Sequence, residues 1–176
     1  IPDGTVLSAG TLNDDGSVTL TADQLDGLTI TPTADSDADF DLTMAATSTD
    51  GTDTATTTAT LPVTVAAVAD APTLEVSAAS GSEDTAIALD IVSALTDTDG
   101  SEVLSVTIDD IPDGTVLSAG TLNDDGSVTL TADQLEGLTF TTAANSDADF
   151  DLTVTATSTD GTDTATTTAT LPVTVA

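Results

Sequence analysis

Apolar and polar positions alternate with a period of two through much of the chain, as they do in strands that bury one face. Leu74 and Val76 alternate with Thr73, Glu75 and Ser77, and Ile87, Leu89 and Ile91 with Ala86, Ala88 and Asp90. Leu104, Val106 and Ile108 alternate with Val103, Ser105 and Thr107. After the turn Ile111-Pro-Asp-Gly comes a short strand over 115–118, and Asn123-Asp-Asp-Gly126 is a hairpin turn leading into Val128 and Leu130. The spacing at 132–135 predicts one helical turn, and Leu138 and Phe140 resume the β pattern. Phe150, Leu152, Val154 and Ala156 share one face of the next strand, opposite Asp151, Thr153, Thr155 and Thr157. Asp160-Gly161 then turns the chain into a last strand over about 163–175. That strand has Thr164, Thr166, Thr168, Thr170 and Thr174 outside and Ala165, Thr167, Ala169, Leu171, Val173 and Val175 inside. At about 3.3 Å per residue it spans roughly 40 Å. Seven or more two-faced strands punctuated by turns predict an antiparallel β-sandwich.

The pattern also repeats. Residues 1–66 recur at 111–176, with seven differences in 66 positions: Asp26/Glu136, Ile30/Phe140, Pro32/Thr142, Thr33/Ala143, Asp35/Asn145, Met44/Val154 and Ala45/Thr155. None inverts an inside/outside assignment. A period of 110 residues is that of whole domains in tandem, since solenoid repeats are shorter. The boundary falls in the Ala-rich, Pro-containing run at 66–72. Residues 70–176 therefore read as one complete repeat, and 1–69 as the C-terminal two-thirds of another plus a linker. The first copy lacks counterparts of Leu74, Ile87 and Val106, which should leave its core face open. Either a preceding segment or another chain supplies those strands. The chain begins on IPDGTVL without a methionine and reads as part of something longer.

Composition narrows the chemistry. There are 31 Asp plus Glu and no Lys, Arg, His or Cys, giving a formal charge of −31. Self-repulsion on this scale opposes compaction, and acidic chains poor in aromatics are often disordered, but 39% hydrophobic residues in alternating β-branched runs argue for a folded chain. No side chain can neutralise phosphate, so nucleic acid is excluded as a partner and an anionic membrane surface disfavoured. No apolar run is long enough to insert into a membrane. Histidine, cysteine and lysine chemistries are missing, and carboxylate and carbonyl oxygens remain, the hard ligands of Ca2+ or Mg2+. The sole aromatics are Phe40, Phe140 and Phe150. So thin a core stands to gain from an ion that binds only the folded state.

The first candidate metal site is Asp97-Thr-Asp99-Gly-Ser-Glu102, where a tight turn can aim Asp97 and Asp99 inward and Glu102 can close the shell. Asp70 in the linker and Glu83-Asp84 in an earlier loop are expected to join it at one end of the sandwich. Isolated loop acids are usually solvated turn residues; here so many crowd together that a cation is the favoured reading. The second candidate is Asp147 and Asp149, expected to chelate with Asp160 or Asp163. Its D-x-D opening resembles an EF-hand loop, but Phe150 stands where that loop needs Gly and Ala156 where it needs Glu. A solvated strand edge explains it equally well. Asp124-Asp125 is explained by hairpin-turn chemistry alone. An enzyme is not expected: paired carboxylates could in principle hydrolyse glycosides, but the chain has no Trp or Tyr to build a sugar platform.

The combination VADAPTL, GSEDTAIALDI, DTDGSEVLSVTI, IPDGTVLSAGTLNDDGSVTLT, SDADFDLTVTATSTD and ATLPVTVA resembles the Ig-like, cadherin-like extender repeats of giant bacterial RTX adhesins. The resemblance implies tandem Ig-like sandwiches in an extended array, secreted to the bacterial cell surface, with adjacent repeats as partners. It implies Ca2+ at the domain junctions, rigidifying the rod, and maps the junction acids onto Asp70, Glu83, Asp84, Asp97, Asp99 and Glu102. A competing reading is a module that binds ice or a glycan through its Thr rows.

Overall fold

A computed structural model describes residues 1–176, which fall into two compact units, Ile1–Ala67 and Val68–Ala176. The chain is all-β, and its helical content is confined to 3-10 turns at Ala22–Leu25 and Ala132–Gln134.

The first unit has β1 (Val6–Leu7), β2 (Thr11–Leu12), β3 (Val18–Thr19), β4 (Ile30–Thr31), β5 (Phe40–Asp50) and β6 (Asp53–Val63). They pair two by two, β1 with β4, β2 with β3 and β5 with β6, all antiparallel. Thr5 is the only buried residue in this unit.

The second unit adds β7 (Thr73–Val76), β8 (Ala79–Gly81), β9 (Ile87–Ala88), β10 (Ile91–Ala94), β11 (Val103–Asp109), β12 (Val116–Leu117), β13 (Thr121–Leu122), β14 (Val128–Thr131), β15 (Thr139–Thr141), β16 (Phe150–Asp160) and β17 (Asp163–Val175). One six-stranded sheet has the order β13-β14-β11-β16-β17-β8. The remaining strands form β12-β15-β9 and β10-β7. The amide of Leu89 donates to Leu138 and that of Ser77 to Asp90. The chain from 87 to 94 thus gives its first half to β15 and its second to β7. Every pairing is antiparallel except that of β8 with β17, which is parallel. This departs from the all-antiparallel expectation, because the chain after β7 crosses to the far edge of the other sheet.

The alternation read from the sequence becomes one core. Ile87, Leu89 and Ile91 meet Val106, Ile108, Leu130, Phe140, Leu152, Val154, Leu171 and Val173 in a single cluster. The Phe140 ring meets that of Phe150 edge-on at 5.7 Å.

The two units show what the extra strands do. Val154 and Leu171 are 0% exposed, whereas their counterparts Met44 and Leu61 are 48% and 45% exposed. The β5–β6 hairpin has the register of β16–β17, Phe40 opposite Val63 as Phe150 is opposite Val173. The local structure is therefore written in the shared sequence, and burial depends on residues 68–110.

Candidate metal centre

The Asp97–Glu102 loop joins β10 to β11, and two side-chain-to-backbone bonds shape it. The Asp99 amide donates to Asp97 Oδ1 at 2.8 Å, and the Ser101 amide donates to Asp99 Oδ1 at 2.8 Å. These are Asx turns, in which a short carboxylate stands in for a backbone acceptor. Gly100 has φ +99°, a conformation that glycine adopts without steric cost.

The same loop grips the start of the unit. The Asp70 amide donates to Glu102 Oε1 at 2.6 Å, and Thr96 Oγ1 donates to the Ala71 carbonyl at 3.2 Å. From β17, Thr167 Oγ1 donates to the Pro72 carbonyl at 2.6 Å, and the Ala69 amide donates to Asp163 Oδ2 at 3.1 Å. Residues 69–72 are thus tied on both sides.

This arrangement brings one carboxylate oxygen each from Asp70, Asp97 and Glu102 to within 4.8 Å of one another. Asp70 is exposed, but Asp97 and Glu102 are only 3% and 7% exposed. Each buried acid spends one oxygen on a backbone amide. The other oxygens, Asp97 Oδ2 and Glu102 Oε2, are buried without a hydrogen-bond partner. A buried, unpartnered carboxylate oxygen is costly unless a cation meets it, and the chain has no cationic side chain to do so. Three oxygen donors with no nitrogen or sulfur are the ligand set of a hard metal ion. The trio could hold one.

The other predicted ligands lie elsewhere. Asp99 is exposed, and its carboxylate also accepts from Ser101 Oγ at 2.6 Å. The Ser101 hydroxyl, then its amide, hold the Asp99 carboxyl below its ordinary value of 3.8. Asp99 shapes the loop and is not one of the three clustered acids. Glu83 and Asp84 sit at the opposite end of β17: the Glu83 amide donates to the Ala176 carbonyl, whereas Ala69 is held at Asp163. Thirteen residues of strand, roughly 40 Å, separate these ends. The expected meeting of Asp70 with Glu83-Asp84 therefore does not occur.

The pairing of Asp147 and Asp149 with Asp160 or Asp163 is corrected for the same reason. Asp149 precedes β16 and accepts from the Val175 amide, whereas Asp160 closes β16 at its far end opposite Asp163. Buried Asp160 lies instead one residue beyond the Val103–Thr159 pair, at the Glu102 end of the sheet. Asp84 accepts from the Asn145 amide at 3.2 Å, so the loops of Glu83-Asp84 and Asp147–Asp149 share the other end. No partnerless buried carboxylate oxygen is found there.

No protein-family model and no curated protein matches the chain. The site stands on its own geometry.

Proposed function

We propose that the chain is a calcium-stabilised structural spacer from a secreted bacterial surface adhesin, built of tandem Ig-like β-sandwich units in an extended array. The observation that carries the proposal is the pair of buried, unpartnered oxygens of Asp97 and Glu102 beside Asp70. Ca2+ accepts six to eight oxygens in flexible geometry, including carbonyls and water. It therefore tolerates a partly open site in which one acid, Asp70, faces solvent.

The mechanism is electrostatic. Without a cation, three carboxylates repel one another where the chain enters the second unit. With Ca2+ they share one ion, and residues 69–72 are clamped against the 97–102 loop. Clamping this point stiffens the link to the repeat before it. The role proposed is non-enzymatic, with the three carboxylates acting as metal ligands. The resemblance in sequence to adhesin repeats supports the cell-surface assignment.

Ca2+ should raise the melting temperature and lengthen the particle in small-angle scattering, and EGTA should reverse both. Unchanged melting and dimensions in EGTA would refute the spacer mechanism. One observation favours a second reading: Thr164, Thr166, Thr168 and Thr170 stand exposed in a row on β17. Adsorption of the chain to ice or to a glycan array, lost on replacing these threonines, would favour that binding module.

A further inference from the structure

Strand pairing in the second unit leaves a notch beside β10. The Leu89 amide donates to Leu138 on one side of the 87–94 segment, and the Asp90 carbonyl accepts from Ser77 on the other. Alternate residues of a strand turn their backbone groups to opposite edges. Val92 therefore pairs toward β7, and Ile91 and Ser93 present their N–H and C=O groups on the side of Leu138. No strand meets them there. β10 pairs only with β7, and β15 begins only at Thr139. The chain just before β15 is diverted by the 3-10 turn at Ala132–Gln134 and by Gly137, whose φ is +68°.

The notch is a groove of about 420 Å3 between β10 and the 132–137 turn. Its lining includes Leu89, Ile91 and Leu135, which are 4%, 5% and 7% exposed and belong to the core. It also includes the exposed carboxylates of Asp90 and Glu136. An open backbone edge, an apolar floor and two acids thus meet in one place.

We infer that this groove binds an extended peptide segment of another protein, bearing Lys or Arg and added as a strand along the open edge of β10. The free backbone groups of Ile91 and Ser93 supply the ladder, and the apolar floor takes the inward side chain of the added strand. Asp90 selects a cation at the outward position opposite it, about 5 Å away in strand register, and Glu136 adds to the same field. At roughly 3.3 Å per residue, about five residues of peptide span the edge from Leu89 to Ser93. A second copy of the chain is the wrong occupant, because it carries no cationic side chain and a charge of −31. None of the lining residues belongs to the metal trio, so the inference stands apart from the calcium reading.

The test titrates the peptide acetyl-Lys-Val-Lys-Val-Lys-amide into the intact chain in calcium buffer, with amide NMR and hydrogen exchange as readouts. Binding with a dissociation constant below about 1 mM is expected, with the Ile91 and Ser93 amides shifting and slowing in exchange. Asp90→Asn with Glu136→Gln should weaken it at least about 5-fold. Asp124→Asn with Asp151→Asn, an equal loss of charge elsewhere, should weaken it less than about 2-fold. The same peptide N-methylated along its backbone keeps its charge but cannot form the ladder, and it should not protect these amides. No binding at millimolar peptide, equal binding by the methylated peptide, or equal weakening by the two double variants would overturn the inference. So would self-association of the unmodified chain that protects Ile91 and Ser93, because a second copy would then be the occupant.

Discussion

Replacing Asp97 by Asn separates two consequences of a crowded carboxylate site that most substitutions confound. Two unit charges 4.8 Å apart repel by about 3.5 kcal/mol at an effective dielectric of 20. Asp97 takes part in two of the three pairs, so at this, the widest separation in the trio, its neutralisation removes about 7 kcal/mol of repulsion from the metal-free protein before screening. Asp70 is exposed and its charge is screened, which reduces the expected gain to roughly 1–3 kcal/mol. Calcium shifts the balance toward the wild type. At an ion concentration 100 times the dissociation constant, binding stabilises the wild type by about 2.7 kcal/mol. For a unit the size of Val68–Ala176 this is a rise of roughly 10–20 °C in melting temperature. Asp97→Asn, short of one anionic ligand and binding at least about 10-fold more weakly, should gain about half of that rise or less. Differential scanning calorimetry in EGTA and in calcium reads both effects: the variant melts above the wild type in EGTA, and its rise on adding calcium is about half the wild type's or less. A variant that melts below the wild type in EGTA, or that gains as much from calcium as the wild type, would refute the reasoning.

The repeat supplies a paired test of burial. Leu171→Ala should cost about 2–5 kcal/mol, because its side chain is fully buried, whereas Leu61→Ala at the same repeat position should cost less than about 1 kcal/mol by urea denaturation. Gly81 lies in β8, where an added Cβ would stand 2.6 Å from Ile87 Cγ1, so Gly81→Ala should destabilise by about 1–3 kcal/mol in the same assay. The Ser127 hydroxyl, and then its amide, hold the Asp125 carboxyl below its ordinary 3.8, as Ser17 does for Asp15. A depressed folded-state pKa adds stability that is present above pH 3.8 and is lost as pH falls through the lower folded value. Carboxyl carbon NMR should therefore find Asp125 titrating below pH 3.8, and Ser127→Ala should move its midpoint upward.

How legible each part was depended on whether its cause is local. Strand β17 runs from Asp163 to Val175 as the alternation predicts, because a long period-two pattern and an Asp-Gly turn leave little freedom. Strand β8 is not legible in the sequence: Ala79-Ser-Gly81 has no alternation and no β-branched residue, and it is a strand only because β17 lies alongside. Gly81 there serves close approach to Ile87, which the sequence alone does not reveal.

The site divides in the same way. Asp97 and Glu102 were legible from the turn between them, and Asp70 from its place in the linker. Asp99 lies outside the clustered trio, and spacing does not disclose that Ser101 bonds its Oδ1. The loop partners were mismatched because strand direction decides which loops share an end. Burial was the missing signal: the unpartnered oxygens of Asp97 and Glu102 distinguish this trio from the other acids.

The central claim is that Asp70, Asp97 and Glu102 bind one calcium ion, and calorimetric titration of Ca2+ into the 176-residue chain tests it most directly. The geometry predicts one tight site per chain, since the first unit has no counterpart of this trio. Asp97→Asn and Glu102→Gln should each weaken it by at least about 10-fold. Asp99→Ala should weaken it only a few-fold, through the loss of loop-shaping hydrogen bonds worth about 1 kcal/mol. Absence of binding at millimolar calcium, or binding that survives both Asp97→Asn and Glu102→Gln unchanged, would contradict it.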